Sequence, residues 1–203
     1  ATLRLLSLAN VRYLLSVQDL TKSGLDLQRV YRGEVQIYEN PGVLPRAFIV
    51  HHIEAVADGQ SALEKVIDTK VDLRAVGIME SEEQLPSQLQ ALMDRNENPP
   101  QEPCADRVEI TRYEPQHVHV QVDLCKAGVI VLTDTYYAGW KVYVDGVEQR
   151  IYRTNYLFRG VYSERGRHEV RFVYDPLSYK AGLALSAASA LICLLLFARR
   201  PRT

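Results

Sequence analysis

Between positions 134 and 141 the chain reads Asp-Thr-Tyr-Tyr-Ala-Gly-Trp-Lys, and after a short hairpin Asn155-Tyr156-Leu157-Phe158-Arg159 follows. Asp134, Tyr136, Tyr137, Lys141, Asn155 and Arg159 would bring a carboxylate, two phenols, an amide and two cations to one rim of a β-domain. Such a set suits a sugar or a sugar phosphate. Aromatic rings meet the apolar C–H face of a pyranose, amide and carboxylate bond its rim, and Lys141 and Arg159 meet phosphate. The same residues also have a structural use, in which the tyrosines plug a strand end and Asp134 pairs with Arg159 to hold strands together. Both uses stay open at this level.

Other chemistries find less support. His117 and His119 share a strand face and His51 adjoins His52, but no spacing supplies the third and fourth ligands that a metal needs, so no metal site is expected. The chain has no Gly-rich phosphate loop, no Gly-x-Ser-x-Gly elbow and no Cys-His arrangement of a nucleophile. We therefore expect no catalytic residue and no cofactor in this stretch. Cys104 and Cys125 flank a hairpin in which Ile110 should face Val120 and Val108 should face Val122. That register leaves the two sulfurs nearly opposite, so a disulfide requires the strand ends to shift by a residue, and two free thiols are the alternative. Tyr38-Glu39-Asn40-Pro41 and Leu44-Pro45-Arg46 read as strand, turn and strand, with Glu39 and Arg46 placed for an ion pair.

The elements that must position these residues show in the hydrophobic pattern. Residues 107–113 and 117–124 alternate around Glu114-Pro115-Gln116, and residues 128–134 form a continuous apolar run of the kind buried on both faces. Asp145-Gly146 predicts a type I′ turn pairing Val144 with Val147, which sends Trp140, Val142, Val144 and Ile151 to the core with Val170 and Phe172. The expected fold is mainly β: an antiparallel β-sandwich-like domain over 106–175, preceded by a small α/β part over 1–80 and a polar linker over 81–105. In the first part, residues 11–16, 34–39, 46–53 and 73–79 read as strands, and Asp58 opens a short helix that ends near Ile67.

Residues 181–198 are eighteen positions without a charge, followed by Arg199, Arg200 and Arg202. As a helix they reach ~27 Å, close to the hydrocarbon thickness of a bilayer, so one transmembrane helix is expected over 178–198. Tyr179 and Lys180 suit the headgroup level. Arginines directly after a span mark its cytoplasmic side, which makes 199–203 a cytoplasmic tail and the preceding residues extracytoplasmic. Because the chain begins at Ala1 without a signal segment, we expect it to be part of a longer protein whose earlier part supplies other spans. The 24 basic and 25 acidic residues give no field for nucleic acid.

Several segments resemble one family. Leu8-Ala9-Asn10-Val11-Arg12-Tyr13, Tyr38-Glu39-Asn40-Pro41-Gly42-Val43-Leu44-Pro45-Arg46, Val108-Glu109-Ile110-Thr111, the stretch 133–141, Asn155-Tyr156-Leu157-Phe158-Arg159 and Tyr174-Asp175-Pro176 resemble, in order, the C-terminal region of the YfhO bacterial membrane proteins. The resemblance implies a polytopic protein of the bacterial cell membrane related to GT-C glycosyltransferases, which use polyprenyl-phosphate sugars to decorate envelope polymers. It also implies that the catalytic site lies in an upstream membrane part. The implied partners are membrane lipid, that upstream part, and a polyprenyl-phosphate sugar or envelope polymer. The implied role is an accessory one, docking or acceptor-presenting; the alternative is a carbohydrate-binding or structural envelope module anchored by one helix. Cys104 and Cys125 fall outside the resembling pattern.

Overall fold

The computed structural model describes residues 2–80, 85–93 and 105–198. Two large sheets build the domain. A five-stranded antiparallel sheet is formed by β7 (Arg107–Glu114), β8 (His117–Leu124), β10 (Trp140–Val144), β11 (Val147–Gln149) and β14 (Gly166–Tyr174), in the order β11-β10-β14-β8-β7. A six-stranded sheet contains β4 (Ala47–Val50), β5 (His52–Val56), β6 (Val76–Glu80), β9 (Gly128–Thr135), β12 (Tyr152–Thr154) and β13 (Phe158–Ser163), in the order β4-β9-β13-β12-β6-β5. A small third sheet, β1-β3-β2, joins β1 (Tyr13–Ser16), β2 (Gln28–Tyr31) and β3 (Gln36–Glu39). The mainly β class, the sandwich and the small α/β part are as expected.

The two large sheets pack face to face through Val118, Val120, Val122, Leu124, Val142, Val170 and Phe172 on one side and Ala47, Ile49, Ile130, Leu132 and Val161 on the other. Alternation sends four of the eight residues of β8, and Val170 and Phe172 of β14, to this interface, and turns His119, Gln121, Glu169 and Arg171 to the opposite, polar face. β9 is buried on both faces: Ile130 and Leu132 enter the sandwich core, while Val129 and Val131 enter a second core. Helices α1 (Thr2–Leu8), α2 (Gly59–Ile67) and α3 (Ser87–Ala91) close that second core with Leu8, Ala62, Val66 and Leu89. The Asp58 carboxylate caps α2 by accepting from the Ser61 backbone N–H at 2.8 Å.

The stretch expected as one strand over 46–53 is two. Only His51 separates β4 from β5, yet these strands occupy opposite edges of the six-stranded sheet. Neighbouring Cα atoms lie about 3.8 Å apart, so the sheet must curl until its edges approach. Gly77 on β6 permits this closure, since a Cβ there would stand 2.9 Å from Val50 Cγ2. β5 and β6 are parallel and linked through α2, whereas every other pair is antiparallel. Strands on both sides of residue 100 therefore share one sheet.

The hairpin turn at Asp145 and Gly146 has φ of 52° and 84°, the left-handed pair that a type I′ turn demands, and Val144 pairs with Val147. Val142, Val170 and Phe172 are fully buried, and Trp140, Val144 and Ile151 pack against them partly exposed. After β14, α4 (Leu177–Ala198) begins within three residues. It is long and apolar enough to cross a membrane, and none of that span is buried against the rest of the chain.

Candidate functional site

Asp134 lies near the end of β9 and collects three donors. Its Oδ2 accepts from Arg159 Nη2 at 2.9 Å, and its Oδ1 accepts from Arg46 Nη1 at 2.8 Å and from the Tyr113 hydroxyl at 2.9 Å. Arg46 also donates to the Tyr113 oxygen at 3.0 Å. The loop before β4, β7, β9 and β13 are thereby tied at one end of the sandwich.

Arg159 is the buried member, with 3% of its side chain exposed. Its guanidinium sits 3.8 Å from the centroid of the Trp140 ring and 5.4 Å from that of Phe172. Burial lowers the Arg159 pKa from its ordinary value, against the pull of Asp134, while burial and then the bond to Asp134 raise that of Tyr113. A charge this deep holds its place only with a carboxylate and a ring face around it. The ring of Trp140 is thus committed to Arg159.

Arg153 on β12 stands directly opposite Arg159 on β13. Two facing cations repel, and each has its own carboxylate: Asp134 for Arg159, and Glu80 at the end of β6 for Arg153, with Nη1 3.2 Å from Oε2. The result is a row of charges across β9, β13, β12 and β6 in which a carboxylate at each end flanks the two central cations. Tyr136 lies under Arg153, whose Cζ is 5.4 Å from the ring centroid.

The six residues singled out in the sequence therefore do not share one rim. Asp134 and Arg159 meet in the buried knot. Tyr136 joins the exposed end of the charge row, and Tyr137 is 64% exposed. Lys141 alternates to the outer face of β10, 3.8 Å from Glu148. Asn155 is buried, and it replaces a missing ladder rung: its backbone N–H donates to Ile78 O at 2.6 Å and its Oδ1 accepts from Ile78 N at 2.9 Å. Sequence reasoning gave Arg46 a different partner and missed Tyr113, Arg153 and Glu80, which carry no local signal. Glu39 pairs with Arg12 at 3.0 Å rather than with Arg46.

A second polar cluster joins His51, Asp106 and Cys125. His51 Nε2 is 2.7 Å from Asp106 Oδ2 and 3.8 Å from the Cys125 sulfur, and the three ligand atoms lie within 4.8 Å of one another. Cys125 is disulfide-bonded, so its sulfur is not a thiolate ligand. Cys104 lies outside the described residues.

Motif segments hold each other elsewhere too. Gly139 adopts φ of 98°, and a Cβ there would meet Pro176 Cβ at 2.9 Å. Its carbonyl accepts from Asp175 N at 2.8 Å, and the Trp140 and Tyr174 ring centroids lie 5.3 Å apart. These contacts fasten the last strand just before α4. Residues 101–186 match the family model of the bacterial membrane protein YfhO. Over this stretch the chain is similar to the YfhO family. No curated protein and no solved structure matches it. The YfhO match runs from β7 through the sandwich into α4, so the knot around Asp134 and the entry to the apolar helix fall within it, apart from Arg46.

Proposed function

We propose that this chain is the membrane-anchored, extracytoplasmic accessory domain of a glycosyltransferase-like protein that acts on cell-envelope polymers. The observation that carries the reading is the junction of β14 and α4. A folded β-domain within the family match ends in Asp175 and Pro176, and a fully exposed apolar helix follows at once. A helix with every face apolar and no cover is at home in lipid, and a junction this short keeps the sandwich at the membrane surface. The three arginines after the helix support a cytoplasmic C-terminus and an external domain.

In this reading the domain docks on upstream membrane spans of the same protein and presents an acceptor polymer, while a polyprenyl-phosphate sugar is used by those spans. The chemistry of Asp134 and Arg159 serves the fold, because the two groups are bonded to each other, Asp134 also accepts from Arg46 and Tyr113, and the Arg159 guanidinium is covered by the Trp140 ring. The test compares the 203-residue chain with the full-length protein in transfer from a polyprenyl-phosphate sugar to an envelope polymer. Transfer by the full-length protein alone is expected. Transfer by the isolated chain overturns the accessory role.

A further inference from the structure

The row of charges across the six-stranded sheet ends at a surface where tyrosines gather. Arg153 bridges Glu80 and the Tyr136 ring. The other carboxylate oxygen, Glu80 Oε1, is buried with no hydrogen-bond partner among the described residues. A Cβ on Gly59 would lie 3.6 Å from both Glu80 Oε2 and Tyr156 Cε2, so the carboxylate and the phenol edge flank the same point at the start of α2. The Tyr136 N–H donates to Leu157 O at 2.7 Å, which fixes the segment carrying Tyr136 to the turn carrying Tyr156. Tyr136 and Tyr156 are 37% and 38% exposed, and Tyr137 and Leu157 beside them are more so.

The backbone of Tyr156 adds an independent sign. Asn155 and Tyr156 have φ of 51° and 71°. Asparagine tolerates the left-handed region, but a bulky tyrosine is strained there, and glycine would fit freely. Strain of this kind gathers at places where a side chain must be held for use. The fold itself draws little from this ring, which belongs to neither core cluster.

We propose that Tyr136, Tyr156, Arg153 and Glu80 form a carbohydrate-binding face that takes a pyranose ring of a neutral glycan. The tyrosine rings lie against the C–H face of the sugar, Arg153 donates to its hydroxyls, and Glu80 Oε1 accepts from one of them. The proposal deepens the accessory role and rests on it for the source of the glycan, the envelope polymer.

The experiment is an array of neutral oligosaccharides of glucose, galactose and N-acetylglucosamine, in α and β linkages, probed with the 203-residue chain in detergent micelles. The chain should bind at least one member. Tyr136→Ala and Tyr156→Gly should each weaken that binding about tenfold, and Arg153→Gln should weaken it too. Because glycine relieves the turn, the Tm of Tyr156→Gly should be unchanged or raised, which separates a lost contact from a lost fold. Lys141→Ala should bind as the parent does. Failure of the parent to bind any member, or binding that survives in both tyrosine variants, overturns the proposal. Loss of polymer glycosylation by the same variants in the full-length protein, with an empty array, identifies the surface as a docking face for the membrane part; that result removes the carbohydrate face and leaves the accessory role standing.

Discussion

Arg46 and Asp134, 88 positions apart in the chain, are joined by a 2.8 Å ion pair at the mouth of the sandwich. The pair ties the Leu-Pro-Arg turn to the Asp-Thr-Tyr-Tyr segment, and through Asp134 it reaches the buried guanidinium of Arg159. The most chemically suggestive residues of the sequence thus form a structural knot. Beyond it, on β12 and β6, Arg153 and Glu80 form a second ion pair whose guanidinium is partly exposed.

Removing the shared carboxylate should be severe. Asp134→Ala leaves Arg159 buried without an anion, and a loss of about 3–5 kcal/mol is expected in denaturant unfolding of the chain in micelles. Lys141→Ala breaks only an exposed contact and should stay within about 0.5 kcal/mol of the parent. Equal effects from the two substitutions would contradict the assignment of Asp134 to the knot.

Gly139→Ala should destabilise the domain by more than about 1 kcal/mol, since the position combines a positive φ with a close approach to Pro176. Thermal unfolding followed by Trp140 fluorescence reports this directly, because that ring is the next residue and packs on Tyr174. An unchanged Tm would mean that the strand end can move away from the helix entry.

Acid stability should depend on the type I′ turn. The bond to His168, and then that from the Glu169 N–H, hold the Asp145 carboxyl below its ordinary pKa. A depressed carboxyl contributes stability that is fully present above its unfolded value, about 3.9, and is lost as pH falls through the folded value. Between pH 5 and pH 2 the Tm of the parent should therefore fall further than that of Asp145→Asn. Parallel curves would show that the turn contributes nothing to the acid response.

Much of the sandwich was legible because its signals are local. The β7–β8 register, with Val108 opposite Val122 and Ile110 opposite Val120, follows from alternation around a short loop, and the Asp-Gly turn fixes its own pairing. The apolar run of β9 announces burial on both faces. Val147 shows the limit of that reasoning: it shares the inward phase yet remains exposed, because β11 is a three-residue edge strand with nothing packed beyond it. The break at His51 was illegible, since two apolar strands in succession look like one until the sheet closes on itself. β2, β12 and α1 were missed for a related reason: each is short and takes its stability from neighbours distant in sequence. The same holds for the site. Tyr136 and Asp134 stand out by type, but their partners Arg153 and Arg46 are assigned only by the three-dimensional fold.

The central claim is that the β-domain lies outside the cytoplasm, anchored by α4. Glu148 is exposed on the outer face of the five-stranded sheet, so Glu148→Cys in the full-length protein offers a surface thiol. Intact cells treated with a membrane-impermeant maleimide should label this variant above the background of the parent protein. Protection in intact cells, with labelling only after lysis, would place the domain in the cytoplasm and contradict the account.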